Sequence, residues 1–279
     1  MKKILVPCDF STPARHAFRS ALSIAARSGG EVHVLHVIEL PVLHDAVLMP
    51  VVSFEEGLFR ELEEKSQTEF AKLVEENKGN IPVHTKIVFG ETSRMILDYA
   101  ESEAVDLIIM GTRGASGIRE VFIGSNTEKI VRRSDIPVFV VRNAIEVGSI
   151  RDIVFPNTLD TTNQEGLVMK VKALQNFFDA KLHIVWINTP ANFNPDATTR
   201  VRLREFATRY MLQNYTINIF NDLYEESGII NFSHHINANM LAMGTRGRKG
   251  LAHFFAGSVT EDVVNHVDLP IWTCNLKQV

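Results

Sequence analysis

Asp106-Leu-Ile-Ile-Met-Gly-Thr-Arg-Gly114, followed after nine residues by Gly124-Ser125, returns as Asn239-Met-Leu-Ala-Met-Gly-Thr-Arg-Gly247, followed after nine residues by Gly257-Ser258. Each matched glycine is displaced by 133 residues. In both copies a helix-like segment and a Pro-led apolar run come next, Pro137-Val-Phe-Val-Val141 or Pro270-Ile-Trp-Thr-Cys274. A repeat of this length implies two related domains. Glycines at fixed offsets between a strand and a helix suggest a backbone cradle for an anion, because main-chain amides reach an anion only where no Cβ blocks the approach.

Working outward, each copy closes a series of strands and helices. Lys3-Ile-Leu-Val-Pro7 reads as a short buried strand, and Ser11-Thr-Pro13 as a helix start with a hydroxyl cap and proline in the first turn. That helix ends at Gly29-Gly30, and strands are expected over 32–38, 83–88, 106–110 and 136–141. Helices are expected over 54–77, 93–103 and 125–133, with a Pro-containing connection over 39–53. In the second half, 151–156 and 181–187 match the first two strands, and about 17 residues are missing from the loop and helix that follow. Strands alternating with helices give an α/β fold. We expect two tandem doubly wound, Rossmann-like domains, 1–143 and 150–279, each a five-stranded parallel sheet with helices on both faces. Ligands of such sheets bind beyond the carboxyl ends of the strands where strand order reverses, which brings Asp9 close to Gly111.

A length of 279 residues suits two domains, and 45% hydrophobic with 22% charged residues is ordinary for globular proteins. A net charge of −4 with no basic face argues against nucleic acid as the partner. Two cysteines, Cys8 and Cys274, lie in different repeats, so a disulfide framework is not expected. The apolar run after Met1-Lys-Lys3 is too short for a signal peptide, and no apolar stretch has membrane-spanning length, so a cytoplasmic location is expected.

Other phosphate loops are excluded. Gly-x-x-x-x-Gly-Lys-Ser/Thr is absent, and the turn after the first strand reads Pro7-Cys-Asp-Phe-Ser11 rather than Gly-x-Gly-x-x-Gly. Both Ser125 with Glu128 and Ser258 with Glu261 fit a Ser-x-x-Glu capping box, which accounts for the serine and glutamate but not for three glycines at one spacing.

The pattern Gly-x2-Gly-x9-Gly-Ser, present in both halves, resembles the ATP-binding signature of the universal stress protein family. The opening Ile4-Leu-Val-Pro-Cys-Asp-Phe-Ser11, the run Leu35-His-Val-Ile38 and the stretch Asp106-Leu-Ile-Ile-Met-Gly111 also resemble that family. The resemblance implies that Asp9, in the turn with Pro7, contacts the adenine end, and that Val37 and Met110 border the base or ribose. It implies that Gly111, Gly114, Gly124 and Ser125, with the N–H of Asn126, hold phosphates. Arg113 and Arg246 are long enough to reach a phosphate or to stand solvated. The alternative readings are a turn carboxylate for Asp9 and a core side chain for Met110; Cys8 reads as an inert core residue, with a redox reporter as the alternative. The second-half counterparts are Gly244, Gly247, Gly257, Ser258 and Val259. There Thr158 stands in place of Asp9, Asn239 of Asp106, Leu223 of Gly90 and Trp186 of His36. These replacements leave the phosphate cradle and put base recognition in doubt.

The function implied is an ATP-binding stress-response or regulatory protein, with Mg²⁺ as an optional companion of the nucleotide. The alternatives are a slow ATP hydrolase and an interaction module for a protein or apolar ligand, its nucleotide sites vestigial. No catalytic residue is named, because no acid, His or Lys repeats beside the glycines. No metal ligand is named either, since the histidines lack a ligating spacing. The fifth strands would be sheet edges able to satisfy each other, making an intramolecular pseudo-dimer; a homodimer of chains is the other assembly implied.

Overall fold

A computed structural model describes residues 1–39, 52–77, 79–112, 124–159, 164–245 and 259–275. The first half runs β1 (Lys3–Pro7), α1 (Thr12–Ser28), β2 (Glu31–Ile38), α2 (Val52–Val74), β3 (Val83–Phe89), α3 (Thr92–Ser102), β4 (Leu107–Gly111), α4 (Ser125–Arg133) and β5 (Val138–Val141). The second runs β6 (Asp152–Pro156), α5 (Glu165–Phe178), β7 (Lys181–Asn188), α6 (Asp196–Arg209), β8 (Tyr215–Asn221), α7 (Glu225–His235), β9 (Met240–Thr245), α8 (Val259–His266) and β10 (Ile271–Asn275). The shortening of the second half falls partly in α6, 14 residues against 23 in α2.

All ten strands form one sheet in the order β3-β2-β1-β4-β5-β10-β9-β6-β7-β8. Within each half the neighbours are parallel, and the halves join where β5 and β10 pair antiparallel, Phe139 opposite Trp272. Pairing the two short strands removes two open edges from the molecule. Strands covered on both faces read as continuous apolar runs; Ile4, Leu5 and Val6 are all fully buried.

One helical layer is built on α1, α2, α5 and α6, and contributes Phe18, Leu73, Phe178 and Leu203 to its core. The other is built on α3, α4, α7 and α8, and contributes Ile96, Ile130, Phe232 and Val263. Each core runs unbroken across the β5–β10 junction. The connection after β5 is tied to α1: Ser20 Oγ accepts the amide of Ile145 at 2.9 Å and Ser23 Oγ that of Val147 at 3.1 Å. Arg142 of the first half pairs with Asp268 of the second at 3.0 Å.

Local signals act as read for α1. Ser11 caps it, and Gly29 ends it in the left-handed conformation at φ 59°. Two of the second-half replacements have a different meaning in the structure. Asp106 Oδ2 accepts the amides of Lys2 and Lys3, and Asn239 Oδ1 accepts those of Arg151 and Asp152. Both side chains clamp the start of the first strand of their half, at the end of the sheet away from Gly111 and Gly244, so the Asp-to-Asn change does not touch the glycine loops. Ile38 pairs with Phe89 as Asn188 does with Asn221, so Asp222, not Leu223, follows the strand as Gly90 does. Asp222 accepts hydrogen bonds from Ser227 Oγ and Asn231 Nδ2, tying down the start of α7.

Candidate functional site

The strand order reverses between β1 and β4, and a cleft of about 430 Å³ opens there. Eight residues expected at a ligand site line it: Pro7, Asp9, Val37, Met110, Gly111, Gly124, Ser125 and Asn126. Residues far apart in sequence meet because right-handed crossovers deliver the ends of β1, β2 and β4 to the same side. Arg113, Gly114, Gly247, Gly257 and Ser258 lie outside the described residues. Gly244 is the last residue but one of β9, close to the place Gly111 holds at the end of β4, and Val259 begins α8 as Ser125 begins α4.

The turn after β1 is held in a strained form. Phe10, not a glycine, adopts φ 62°, and its counterpart Leu159 adopts φ 57°. A left-handed side-chain residue costs about 1–2 kcal/mol, so its recurrence means both halves need the same turn. In the first half the ring of Phe10 lies 4.7 Å from that of His36 and 5.1 Å from that of Phe70. His36 Nδ1 donates to the carbonyl of Cys8 at 2.7 Å, which leaves Nε2 as the acceptor in the neutral ring.

Asp9 does two things at once. Its Oδ1 accepts the amide of Ser11 at 3.0 Å and the hydroxyl of the same residue, an Asx turn that sets up α1. The side chain is exposed in the cleft, and Oδ2 accepts no hydrogen bond among the described residues. The turn reading of Asp9 therefore holds, and one oxygen remains available for a donor in the cleft.

At α4 the capping-box expectation fails. Gly124 is the cap, Ser125 is the first helical residue, and among the described residues no side chain caps the helix. Glu128, the expected partner, pairs with Arg132 at 2.8 Å. The first bond into the helix runs from Glu128 N–H to Gly124 O at 3.2 Å. The amides of Ser125, Asn126 and Thr127 precede it, and they face the anion-favouring end of a helix dipole.

Gly111 has a reason for its missing side chain that differs from the one implied. A Cβ there falls 2.0 Å from the carbonyl oxygen of Pro13 and 2.3 Å from its carbon. The glycine lets the first turn of α1 rest on the end of β4. By contrast, a Cβ on Gly124 meets no atom of the described residues within 4 Å. Met110 is buried in the core and also borders the cleft. Sequence reasoning did not name Thr92 and Ile96, which α3 brings to the cleft wall. The only advance sign was that the start of α3 follows a strand of the same sheet.

Burial pushes the Cys8 thiol up to about 11. On the order of one molecule in 3,000 then carries the thiolate at pH 7.5, and only the thiolate is nucleophilic. Iodoacetamide at that pH is expected to leave Cys8 unmodified in the folded chain and to alkylate it once denaturant is added. Alkylation of the native chain at the rate of a free thiol would contradict the burial described.

The second half has different groups at the matching turn. Asn157 Nδ2 donates to Gln164 Oε1 at 2.7 Å, and Gln164 Nε2 approaches Thr158 Oγ1 at 3.5 Å. Trp186 is buried, its Nε1 has no partner among the described residues, and Arg202 stands over its ring at 5.5 Å. Among the described residues no helix is long and apolar enough to cross a membrane.

Comparison with known proteins agrees with this architecture. The model of the universal stress protein family matches residues 1–142 and 225–275. A universal stress protein of Methanocaldococcus jannaschii is 33% identical over 153 residues, which is 50% of this chain and 94% of that protein. One of Thermus aquaticus is 35% identical over 144 residues, 50% of this chain and 98% of that protein. A crystal structure of a universal stress protein from Archaeoglobus fulgidus covers 99% of this chain and 98% of its own, with a TM-score of 0.76 at 22% identity, a likeness of fold. With its family model matched over more than half its length and in both halves, the chain belongs to the universal stress protein family.

Proposed function

We propose that the chain is an ATP-binding regulatory protein of the stress-response type, with the nucleotide in the cleft of the first half. The observation that carries this is the meeting, in one cleft of about 430 Å³, of an apolar wall with a carboxylate oxygen and helix amides that no side chain among the described residues engages. In this reading Asp9 Oδ2 accepts from the adenine amine, and Val37 and Met110 border the ring. The amides at Gly124, Ser125 and Asn126 take the phosphates, with Arg113 and Gly114 beside them. Such a mix of apolar lining and few placed polar groups suits a small-molecule site. When bound, Mg²⁺ would offset charge on the phosphate oxygens. We treat 1–143 and 150–279 as the two functional units. The second is expected to bind more weakly through Gly244, Gly247, Gly257, Ser258 and Val259, because it has no carboxylate at the Asp9 position and Gln164 approaches the hydroxyl that replaces it.

Occupancy, rather than turnover, is the expected signal. ATP stabilises the form it binds, and the surface shown to partners follows. Among the described residues no acid, His or Lys lines the phosphate end of the cleft. Phosphate release with Mg²⁺ over many turnovers is therefore expected to stay near background. Equilibrium binding of labelled ATP tests the reading. Asp9→Ala removes one hydrogen bond to a charged group, worth about 1.5–3 kcal/mol. It should weaken ATP at least tenfold and erode the preference over GTP. Wild-type affinity and selectivity in that variant would remove Asp9 from the site, and no ATP binding in the wild type would leave the interaction-module reading.

A further inference from the structure

We propose that Glu31, His33 and His84 form a binding site for a divalent late transition metal, with Zn²⁺ as the ion that fits best. The site lies at the opposite end of β2 from the cleft and is independent of nucleotide. Glu31 and His33 are two apart on one strand, so their side chains share a face. His84 is the direct partner of His33 across the β2–β3 register. Neighbouring strands lie about 4.8 Å apart, and this pairing collects three ligand-type atoms from two strands.

The distances suit a metal. His33 Nε2 lies 3.0 Å from Glu31 Oε1, and His84 Nε2 lies 3.5 Å from Glu31 Oε2. All three ligand atoms fall within 4.8 Å of one another. Tetrahedral Zn²⁺ with bonds of about 2.0–2.1 Å needs its ligand atoms roughly 3.3 Å apart, so a group already within 4.8 Å needs only small side-chain rotations to close on the ion. Two imidazoles, one carboxylate and a solvent-facing fourth position form a donor set that Zn²⁺ accepts.

A second observation comes from behind the ligands. His33 is 6% exposed, and its other nitrogen, Nδ1, lies 2.8 Å from the hydroxyl of Tyr99 on α3. A partner at the far nitrogen holds the ring's orientation, and the Tyr99 hydroxyl, able to donate or to accept, can take the Nδ1 proton's hydrogen bond once Nε2 binds a metal. Of the nearby charges, Lys3 Nζ is 3.9 Å from Glu31 but closer to Glu103, at 3.4 Å, which offsets its repulsion of a cation.

The second half supplies an internal control. His183 matches His33, with Asp152 Oδ1 on its Nε2 at 2.8 Å. Its register partner is Thr216 in place of His84, and the threonine hydroxyl bonds His183 Nδ1 at 2.8 Å. Two ligands remain there, so the site occurs once per chain.

The test uses the full chain, stripped with a chelator and free of nucleotide. Calorimetric titration with Zn²⁺ is expected to give one site, and Co²⁺ should show the intense visible absorption of four-coordinate geometry. His84→Ala and Glu31→Gln alter exposed or half-buried positions and should keep the fold by circular dichroism. Each should weaken Zn²⁺ at least tenfold and abolish the Co²⁺ band. Tyr99→Phe should weaken Zn²⁺ while leaving one site. Changing the exposed pair His234→Ala and His235→Ala should do nothing. The proposal is overturned by wild type that binds no Zn²⁺, by unchanged affinity in both His84→Ala and Glu31→Gln, or by loss that follows His234 and His235. Should His84→Ala unfold, Glu31→Gln and the wild-type Co²⁺ spectrum still decide it.

Discussion

Gly111→Ala is expected to destabilise the chain by about 3 kcal/mol or more, the upper end of what overpacking costs. The added carbon sits 2.0 Å from the oxygen of Pro13, 2.3 Å from its carbon and 2.9 Å from the nitrogen of Ala14. All three are backbone atoms, so no rotamer change relieves the overlap. The first turn of α1 must lift from β4, and the buried Ala14, Ala17 and Phe18 lift with it. At about 2–4 °C per kcal/mol, the melting temperature followed by circular dichroism should fall by roughly 6–12 °C. A variant that melts with the wild type would show that α1 does not rest on Gly111. The effect needs no ligand, so it should be the same with and without ATP, apart from any stabilisation by bound nucleotide.

That result would change the meaning of the motif. Its first glycine is demanded by the packing of a helix on a strand, and the glycine before α4 is not. Sequence alone treats them alike, because spacing records that a side chain is excluded and not what excludes it. The strand–helix order was legible for a simpler reason. Buried parallel strands such as Ile4-Leu-Val6 and Leu107-Ile-Ile-Met110 are continuous apolar runs, and caps such as Ser11 and Gly29 mark the helix between them.

What stayed hidden depends on contacts across the sheet. Glu31, His33 and His84 are separated by more than fifty residues at the far end, and only register brings them together. Asp106 and Asn239 looked like a functional difference between the halves. Each accepts two amides through one oxygen, a task that carboxylate and amide perform equally. Ser125-x-x-Glu128 matched a capping box, yet Glu128 had a better partner one turn ahead in Arg132. An i,i+4 pair competes for the same carboxylate that the cap requires, and no linear motif says which wins. The offset that paired Gly90 with Leu223 failed because the chain between β8 and α7 is one residue longer than between β3 and α3.

Gly124→Val is expected to leave the fold nearly intact and to weaken ATP about a hundredfold. Its backbone, φ −56° and ψ 139°, is open to any residue, and a Cβ meets no atom of the described residues within 4 Å. Losing glycine for valine at a helix cap costs about 1 kcal/mol or less. The melting temperature without ligand should therefore move by only a few degrees, far less than for Gly111→Ala. Binding has a different dependence. Gly124 lines the cleft directly before the amides of Ser125, Asn126 and Thr127. A branched side chain there stands where a phosphate must come within about 3 Å of those amides. Charge-assisted hydrogen bonds are worth about 1.5–3 kcal/mol each, so losing one or two gives roughly the hundredfold, equal to 2.7 kcal/mol. Labelled ATP at equilibrium, measured on wild type, Asp9→Ala and Gly124→Val, separates the two ends of the proposed ligand. Asp9→Ala should reduce adenine selectivity and Gly124→Val should not, since only the former touches the base. Undiminished ATP affinity in Gly124→Val would place the phosphates away from α4. The uncapped helix end would then be a feature of the fold, with no part in binding.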